Sequence, residues 1–582
     1  MHIFLLYVIL GSILVQGGYF PTVILIVTIL LSGATIVIKK RVLAVYEIIA
    51  FITVLSYFIS SLANGYNSVS LAQASLSSAC AVFLYLYNCL SEQRKSQLID
   101  GLIIGSGVFA GLAILAFCDV INITGAVTSQ RLQFTFQYAN ATGAWFAAIV
   151  LLAQDRENLR AKSFLIPCLV ALLLTRSVGA LGVYVIVQMA RLWLLRKDQQ
   201  LWQGVLVTHV LSAIFAIAFF PLRGWLAVLG IMLLYLAGFY LQQLLSIAYC
   251  IRFHWVCLGS SGLVAVGVLR SSRVASSFLT FIERIIQIVD GGKLIASNPL
   301  FGVGVGNWAY IYSYHQSAQY TSTVVHSSII QIGVDAGLPT IVLVVLFVIL
   351  AFRQKGRPLA STLAATLLLA HSLMDFTLQF FPICALLISL LFDASNYIPT
   401  KKRRLTAPLI TMVMLCICVL TTALLYIELQ SKQLARNAQI GSWDTILEKY
   451  ERQKFLYGKN QDAESYYIYA LYYTNNFEGV IEAAQFHKMS DTAGLLLRAQ
   501  SLQQLGDRDA ACELLLSELE QQMYRVVLYK QVSQCLLDWD AAPHYLEEYN
   551  RIVDLANSSQ TNLGRLQGNQ VHINYIKYGG IS

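Results

Sequence analysis

Four basic side chains sit at the margins of apolar stretches, where a charge is costly. Arg131 opens RLQFTFQYANATGAW, Arg176 sits in LLLTRSVGA, Arg284 in FIERIIQIVDGG and His326 in TVVHSSIIQIGVDAG. The planar fork of arginine holds two phosphate oxygens at once, so three guanidinium groups on one surface suit pyrophosphate. His326 stands at the entrance of an apolar segment running to about residue 352. An ionisable group there is expensive to desolvate, which makes it a functional candidate. His371 and Asp375 are four residues apart, close enough to pair on one helical face. That pair reads either as a brace beside a ligand or as a structural polar pair inside a bundle. Plainer readings stand beside the others too. Arg131 is also placed to snorkel to lipid headgroups, and Glu283, next to Arg284, points elsewhere on a helix and is no obvious ion-pair partner. Gly302, Gly304 and Gly306 alternate, letting the backbone approach a ligand or a neighbouring helix. They make no dinucleotide fingerprint, because the third glycine of that pattern would fall on Asn307 and no strand precedes them.

The elements that must position these residues are membrane helices. Of 582 residues, 57% are hydrophobic and 12% charged, and the mean hydropathy is +0.63. A soluble enzyme carries about a quarter charged residues. Apolar runs of membrane-spanning length recur from the N-terminus to about residue 427. The spacing predicts an all-α, polytopic bundle of about 13–15 spans. The first lies near 3–16 and the last near 406–427; others fall near 139–153, 163–177, 178–195, 254–270, 326–352 and 358–374. The run at 3–16 lacks a basic flank and a small-x-small cleavage site, so it reads as a membrane helix and not a signal peptide.

Basic residues collect in alternate loops. Nineteen fall on one side, among them Lys39, Lys40, Arg41, Arg252 and Lys401–Arg404. Seven fall on the other: Arg131, Arg176, Arg223, Arg270, Arg273, Arg284 and Lys293. By the positive-inside rule the N-terminus is cytoplasmic and everything after residue 427 is outside, as is a large loop at 271–325. The same bias accounts for the net charge of +9. Residues 1–427 carry 26 Lys and Arg against 12 Asp and Glu, whereas 428–582 carry 14 against 19. The basic excess belongs to topology and lipid headgroups, not to a nucleic-acid surface.

Residues 428–582 read as soluble helices outside the membrane. Ala470-Leu471-Tyr472-Tyr473 with Asn476, and Ala499-Gln500-Ser501-Leu502 with Gly506, fall at similar stages of two helical hairpins. This resembles a degenerate tetratricopeptide-like array, a type of stack that presents a surface to a partner. Among eleven cysteines there is no zinc spacing, and Cys512 and Cys535 could pair in this outer region. Gly333 and Gly337 form a small-xxx-small face that reads as close helix packing. Tyr310, Tyr312, Tyr314 and Tyr320 suit either sugar stacking or an interfacial aromatic belt.

Residues 296–340 resemble the signature region of the O-antigen ligase and polysaccharide polymerase superfamily. That pattern runs P-L-x-G-x-G with a following aromatic, a variable outer loop, then H-N-x-x-x-Q-x-x-x-E-x-G-x-x-G. Pro299, Leu300, Gly302, Gly304, Trp308, His326, Gln331, Asp335 and Gly337 stand at matching positions, with Ser327, Asp335 and Thr340 replacing Asn, Glu and the last Gly. Arg131 with Asn140 is similar to R-x-x-x-T-F-x-x-x-N before a span, and His371 to Asp375 to an H-S-x-x-D element. The family's T-x-S-R-G-A departs here: Val178 stands at the arginine position and Arg176 two residues earlier. The resemblance covers roughly 1–427.

It implies glycosyl transfer on the outer face of the membrane. The donor is a glycan on undecaprenyl pyrophosphate, and the acceptor is a hydroxyl on a lipid, glycan or protein. Arg131 and Arg284, with Arg176 a third candidate, would stabilise the leaving pyrophosphate. His326 would act as general base on the acceptor hydroxyl or position it. Asn140, Gly302, Gly304, Gly306, His371 and Asp375 would shape the site. Neither a metal nor a cofactor is expected, and a protein partner is expected for the C-terminal helices. A ligase, a polymerase and a non-enzymatic transporter remain as readings. The transporter lacks support from any internal symmetry.

Overall fold

The computed structural model describes residues 1–35, 43–156, 158–240, 272–393, 407–457, 460–486, 492–559, 561–562, 564, 575–577 and 580–581. The span expected near 254–270 lies outside the described residues, as do the basic residues at 39–41, 252, 270 and 401–404. Among the described residues, helix accounts for about 79%. Paired strands there are two short antiparallel hairpins, Val127–Thr128 with Arg131–Leu132 and Ile576–Lys577 with Gly580–Ile581.

Among the described residues, six helices are long and apolar enough to cross a membrane: Val45–Asn64, Ser68–Asn88, Glu92–Phe117, Leu201–Phe219, Ser328–Phe352 and Met412–Gln439. Shorter apolar helices of 10–17 residues accompany them. The chain divides into two compact units. One comprises Met1–Val54, Ser75–Ser277 and Val342–Thr421; the other comprises Leu55–Ala74, Phe278–Ile341 and Thr422–Ser582.

The first unit is built around the Ala139–Gln154 helix, buried on every face from Ala141 to Ala153. Its sequence explains this: ANATGAWFAAIVLLAQ has no charge and is rich in small residues. Between membrane helices, where water gives no hydrophobic drive, small side chains bring backbones into van der Waals contact. A Cβ at Gly143 would sit 2.8 Å from the Ala180 Cβ and 3.2 Å from that of Ser177. Trp145, also buried, satisfies its indole N–H on Ser106 Oγ at 3.0 Å. The neighbouring Leu165–Thr175 helix stops at Arg176, whose φ of 49° makes a left-handed cap. Ser177 then accepts from the Ala180 amide and starts the Val178–Leu194 helix.

The Ser328–Phe352 helix is broken within the part that belongs to the second unit. Gly337 has φ 81° and ψ 176°, a conformation essentially confined to glycine, and Pro339 follows it. Gly333 and Gly337 therefore do not share one helical face as expected, but both are closely packed, Gly333 against Ile295 and Gly337 against Leu300. The break is filled by the glycine-rich loop. The Leu338 amide donates to Pro299 O at 2.8 Å, and a Cβ at Gly337 would lie 2.4 Å from Leu300 O. Gly337→Ala is expected to destabilise the protein by at least about 1–3 kcal/mol from backbone strain alone. The check is the Tm of the purified variant, and an unchanged Tm would contradict this account of the break.

The C-terminal residues of that unit form antiparallel helical hairpins. Gln461–Tyr473 turns into Phe477–Phe486 at left-handed Asn475, and Thr492–Gln504 turns into Arg508–Gln521 at Gly506. Ala470 and Ala499, the small residues at matching stages, are fully buried. Leu515, Leu519, Leu528, Val532, Tyr549 and Ile552 fill the core beneath the later hairpins. Cys512 and Cys535 are both free thiols.

Candidate functional site

In the first unit a polar cluster gathers where several helices end. Arg131 begins the second strand of the 127–132 hairpin, whose two turn residues, Ser129 and Gln130, are both left-handed. Its Nε donates to Thr175 O at 3.2 Å and its Nη2 to Asn140 Oδ1 at 3.1 Å. These two bonds fix the plane of the guanidinium. Asn140, in the first turn of its helix, uses both ends of its amide. Oδ1 also accepts from Ser177 Oγ at 2.7 Å, while Nδ2 donates to Asp375 Oδ2 at 2.8 Å and to Tyr138 Oη at 2.9 Å. The Tyr138 hydroxyl donates in turn to the Asp375 carboxylate, 2.9 and 3.0 Å from its two oxygens, and the Phe376 amide donates to Oδ1 at 2.8 Å. Asp375 is fully buried. Arginine and aspartate are thus joined through one asparagine amide, a satisfied network of the kind that rigidifies its members. The Tyr138 ring stacks on Phe376 with centroids 4.6 Å apart.

Two expectations change here. The helix carrying His371 ends at Ser372, so Asp375 is not one turn further along the same face. Asp375 instead accepts from Tyr138, Asn140 and the Phe376 amide, and buried His371 lies 3.4 Å from Thr377 Oγ1 through Nδ1. Arg176 lays its guanidinium 5.6 Å from the centre of the Phe220 ring. Its neighbours, the Thr175 carbonyl and the Ser177 hydroxyl, meet Arg131 and Asn140 in its place. The left-handed cap at Arg176 swings its side chain away from the direction of the residues on either side.

The second unit holds the other candidates. Arg284 is half-buried on the Ser272–Ser297 helix. Burial pushes the Glu283 carboxyl above its ordinary range, while the Arg284 charge and a Gln287 hydrogen bond act against that. Gln287, one turn after Arg284, accepts from the His326 amide at 3.2 Å. The next amide back, Val325 N, donates to Gln331 Oε1 at 2.7 Å. Gln331 Nε2 donates to Asp335 Oδ1 at 2.8 Å, and the Gly306 amide donates to the same oxygen at 3.0 Å. His326, half-buried, is therefore held by its own backbone and its predecessor's, two residues before its helix begins.

The three glycines approach protein and not an open site. Gly302, Gly304 and Gly306 have φ of 65°, 103° and 75°. A Cβ at Gly302 would lie 2.3 Å from Val334 O, and one at Gly304 would lie 2.4 Å from Asn307 Nδ2. The four tyrosines are also engaged internally. Tyr310 donates to Asp462, Tyr314 to Glu518 and Tyr320 to Asp290, while Tyr312 stacks between Trp308 and Tyr320. No protein-family model and no curated protein matches this chain. What its residues can do rests on their geometry and on the resemblance of their spacing.

The structure thus joins Arg131 to Asn140 and Asn140 to Asp375 by direct bonds, and it ties the His326 amide to Gln287, one turn after Arg284 on its helix. Sequence reasoning missed Tyr138, Ser177 and Gln287. Gln287 had a signal, since it follows Arg284 by three residues on an amphipathic stretch. Tyr138 and Ser177 had none beyond proximity to Asn140 and Arg176.

Proposed function

We propose that the protein is a membrane glycosyltransferase of the O-antigen ligase type. It transfers a glycan from undecaprenyl pyrophosphate to an acceptor hydroxyl on a cell-surface lipid, polysaccharide or protein. In this reading it sits in the bacterial cytoplasmic membrane with about 13–15 spans. The N-terminus is cytoplasmic, and the 271–325 loop and the 428–582 helices lie outside. The acceptor oxygen attacks the anomeric carbon, the bond from that carbon to the phosphate oxygen breaks, and its electron pair leaves with the pyrophosphate. His326 takes the hydroxyl proton or orients the hydroxyl. Arg131 and Arg284 stabilise charge on the leaving group; Arg176, turned to Phe220, is given no part. The reaction as proposed needs no metal.

The observation that carries this reading is the fixed guanidinium of Arg131. A preorganised cation costs no reorganisation as charge develops in the transition state, and an arginine held through Nε and Nη2 meets that requirement. The alternative is a polymerase that joins lipid-linked repeat units. One observation favours it: Ser313 and Tyr314 already occupy Gln522 and Glu518 of the C-terminal helices, which reduces the surface left for docking an acceptor. The two are separated by the lipid-linked glycan in a strain lacking this protein. Long chains accumulating unattached on the carrier are expected for a ligase, and loss of long chains for a polymerase. An unchanged lipid-linked pool would count against both.

A further inference from the structure

The C-terminal helices contribute a carboxylate that the transferase reading leaves unused. Asp462 lies in the first turn of the Gln461–Tyr473 helix, where a negative charge is favoured by the helix dipole. Its Oδ2 accepts from the Ser68 amide at 2.8 Å and the Ser68 hydroxyl at 2.7 Å, and its Oδ1 accepts from Tyr310 Oη at 2.9 Å. Beside it, the Gln461 amide donates to Tyr66 O at 3.0 Å. Asn67, fully buried, donates through Nδ2 to Gln461 Oε1 at 3.2 Å and to Asn307 Oδ1 at 3.3 Å. Asn307 follows Gly306, whose amide is bonded to Asp335. From Asp335 the bonds continue through Gln331 to the Val325 amide, one residue before His326.

We infer that Asp462 is a positioning residue for His326, acting through Ser68, Asn67, Asn307 and Asp335; this rests on the transferase reading. Each step of the route is a hydrogen bond or a single peptide link, and the buried members cannot exchange partners with water without cost. A carboxylate holding three donors is also the strongest anchor on the route, because charge-assisted bonds are about twice as strong as neutral ones. Removing it takes an acceptor from Ser68 and Tyr310 together. The C-terminal helices are then part of the site and not an appendage to it.

The test compares wild type, Asp462→Ala and Tyr310→Phe in reconstituted membranes, with transfer and histidine labelling measured in parallel. Diethyl pyrocarbonate labels His326, and exposed His544 serves as the internal reference. Asp462→Ala is expected to lower kcat at least tenfold with donor KM unchanged, and to change His326 labelling several-fold relative to His544. In a His326→Ala background it should cause no further loss, because residues acting through one another are non-additive. Tyr310→Phe, which removes one hydroxyl only, should move both readouts the same way by less, and it carries the test if Asp462→Ala does not fold. An equal loss in both backgrounds would make Asp462 a general scaffold and overturn the inference. Unchanged His326 labelling would overturn it too, whatever the transfer rate. Absence of transfer by wild type would instead remove the transferase reading, and the labelling would still decide the coupling.

Discussion

His326→Ala is expected to lower transfer roughly 10²–10⁴-fold, the usual share of general acid–base catalysis, while donor binding stays intact. The geometry makes this a clean experiment. The His326 amide is bonded to Gln287 and the preceding amide to Gln331, and neither contact uses the imidazole. The main chain therefore keeps its anchors when the ring is removed, and the loss reports on the ring. His326→Asn divides the two roles. A base is lost in both variants, whereas a positioning group is partly restored by the asparagine amide. The measurement is transfer in a reconstituted membrane with donor binding assayed alongside. Near-normal turnover by His326→Ala would leave the glycine-rich loop and the histidine as architecture.

The second large effect is expected at Arg131. Alanine there would remove the donor to Asn140 Oδ1 and to Thr175 O, and unmaking hydrogen bonds of buried polar groups costs stability. Arg131→Lys is the better variant. The ammonium can still donate to Asn140 Oδ1, so folding and abundance should be near those of wild type. It loses the planar fork and its second bond to Thr175 O, so it holds a pyrophosphate oxygen only as a point charge. The expected loss in transfer is about 10²–10³-fold, similar to removing one preorganised donor from an oxyanion site. Abundance is read by immunoblot and transfer by product formation. Wild-type transfer by Arg131→Lys would remove Arg131 from the chemistry and leave it as the latch of the 127–132 hairpin.

The local parts of this architecture were legible in the sequence. Arg131 and Asn140 were brought together by the resemblance of RLQFTFQYAN to a family motif, and they meet at 3.1 Å. The hairpins turning at Asn475 and Gly506 followed from two similar stretches, beginning at Ala470 and Ala499. The break at Gly337 had its signal in Gly-Leu-Pro, but the four-residue spacing of Gly333 and Gly337 outweighed it. Other features depended on distant partners. Asp375 was read as the helical neighbour of His371, yet its donors include Tyr138 and Asn140, 237 and 235 residues away. Helical periodicity carries no information about such contacts. The tyrosines of the 310–320 stretch looked like a surface for sugars or lipid. Tyr310 and Tyr314 find their acceptors 152 and 204 residues further on, so their engagement appears only once the C-terminal helices are folded.

The most direct test of the transferase reading is release of undecaprenyl pyrophosphate by the purified protein in proteoliposomes supplied with the lipid-linked glycan and a hydroxyl acceptor. The account predicts release in step with glycan transfer by wild type, with both falling together in Arg131→Lys. Wild-type protein that binds the donor but releases no undecaprenyl pyrophosphate with lipid, glycan or protein acceptors would contradict it.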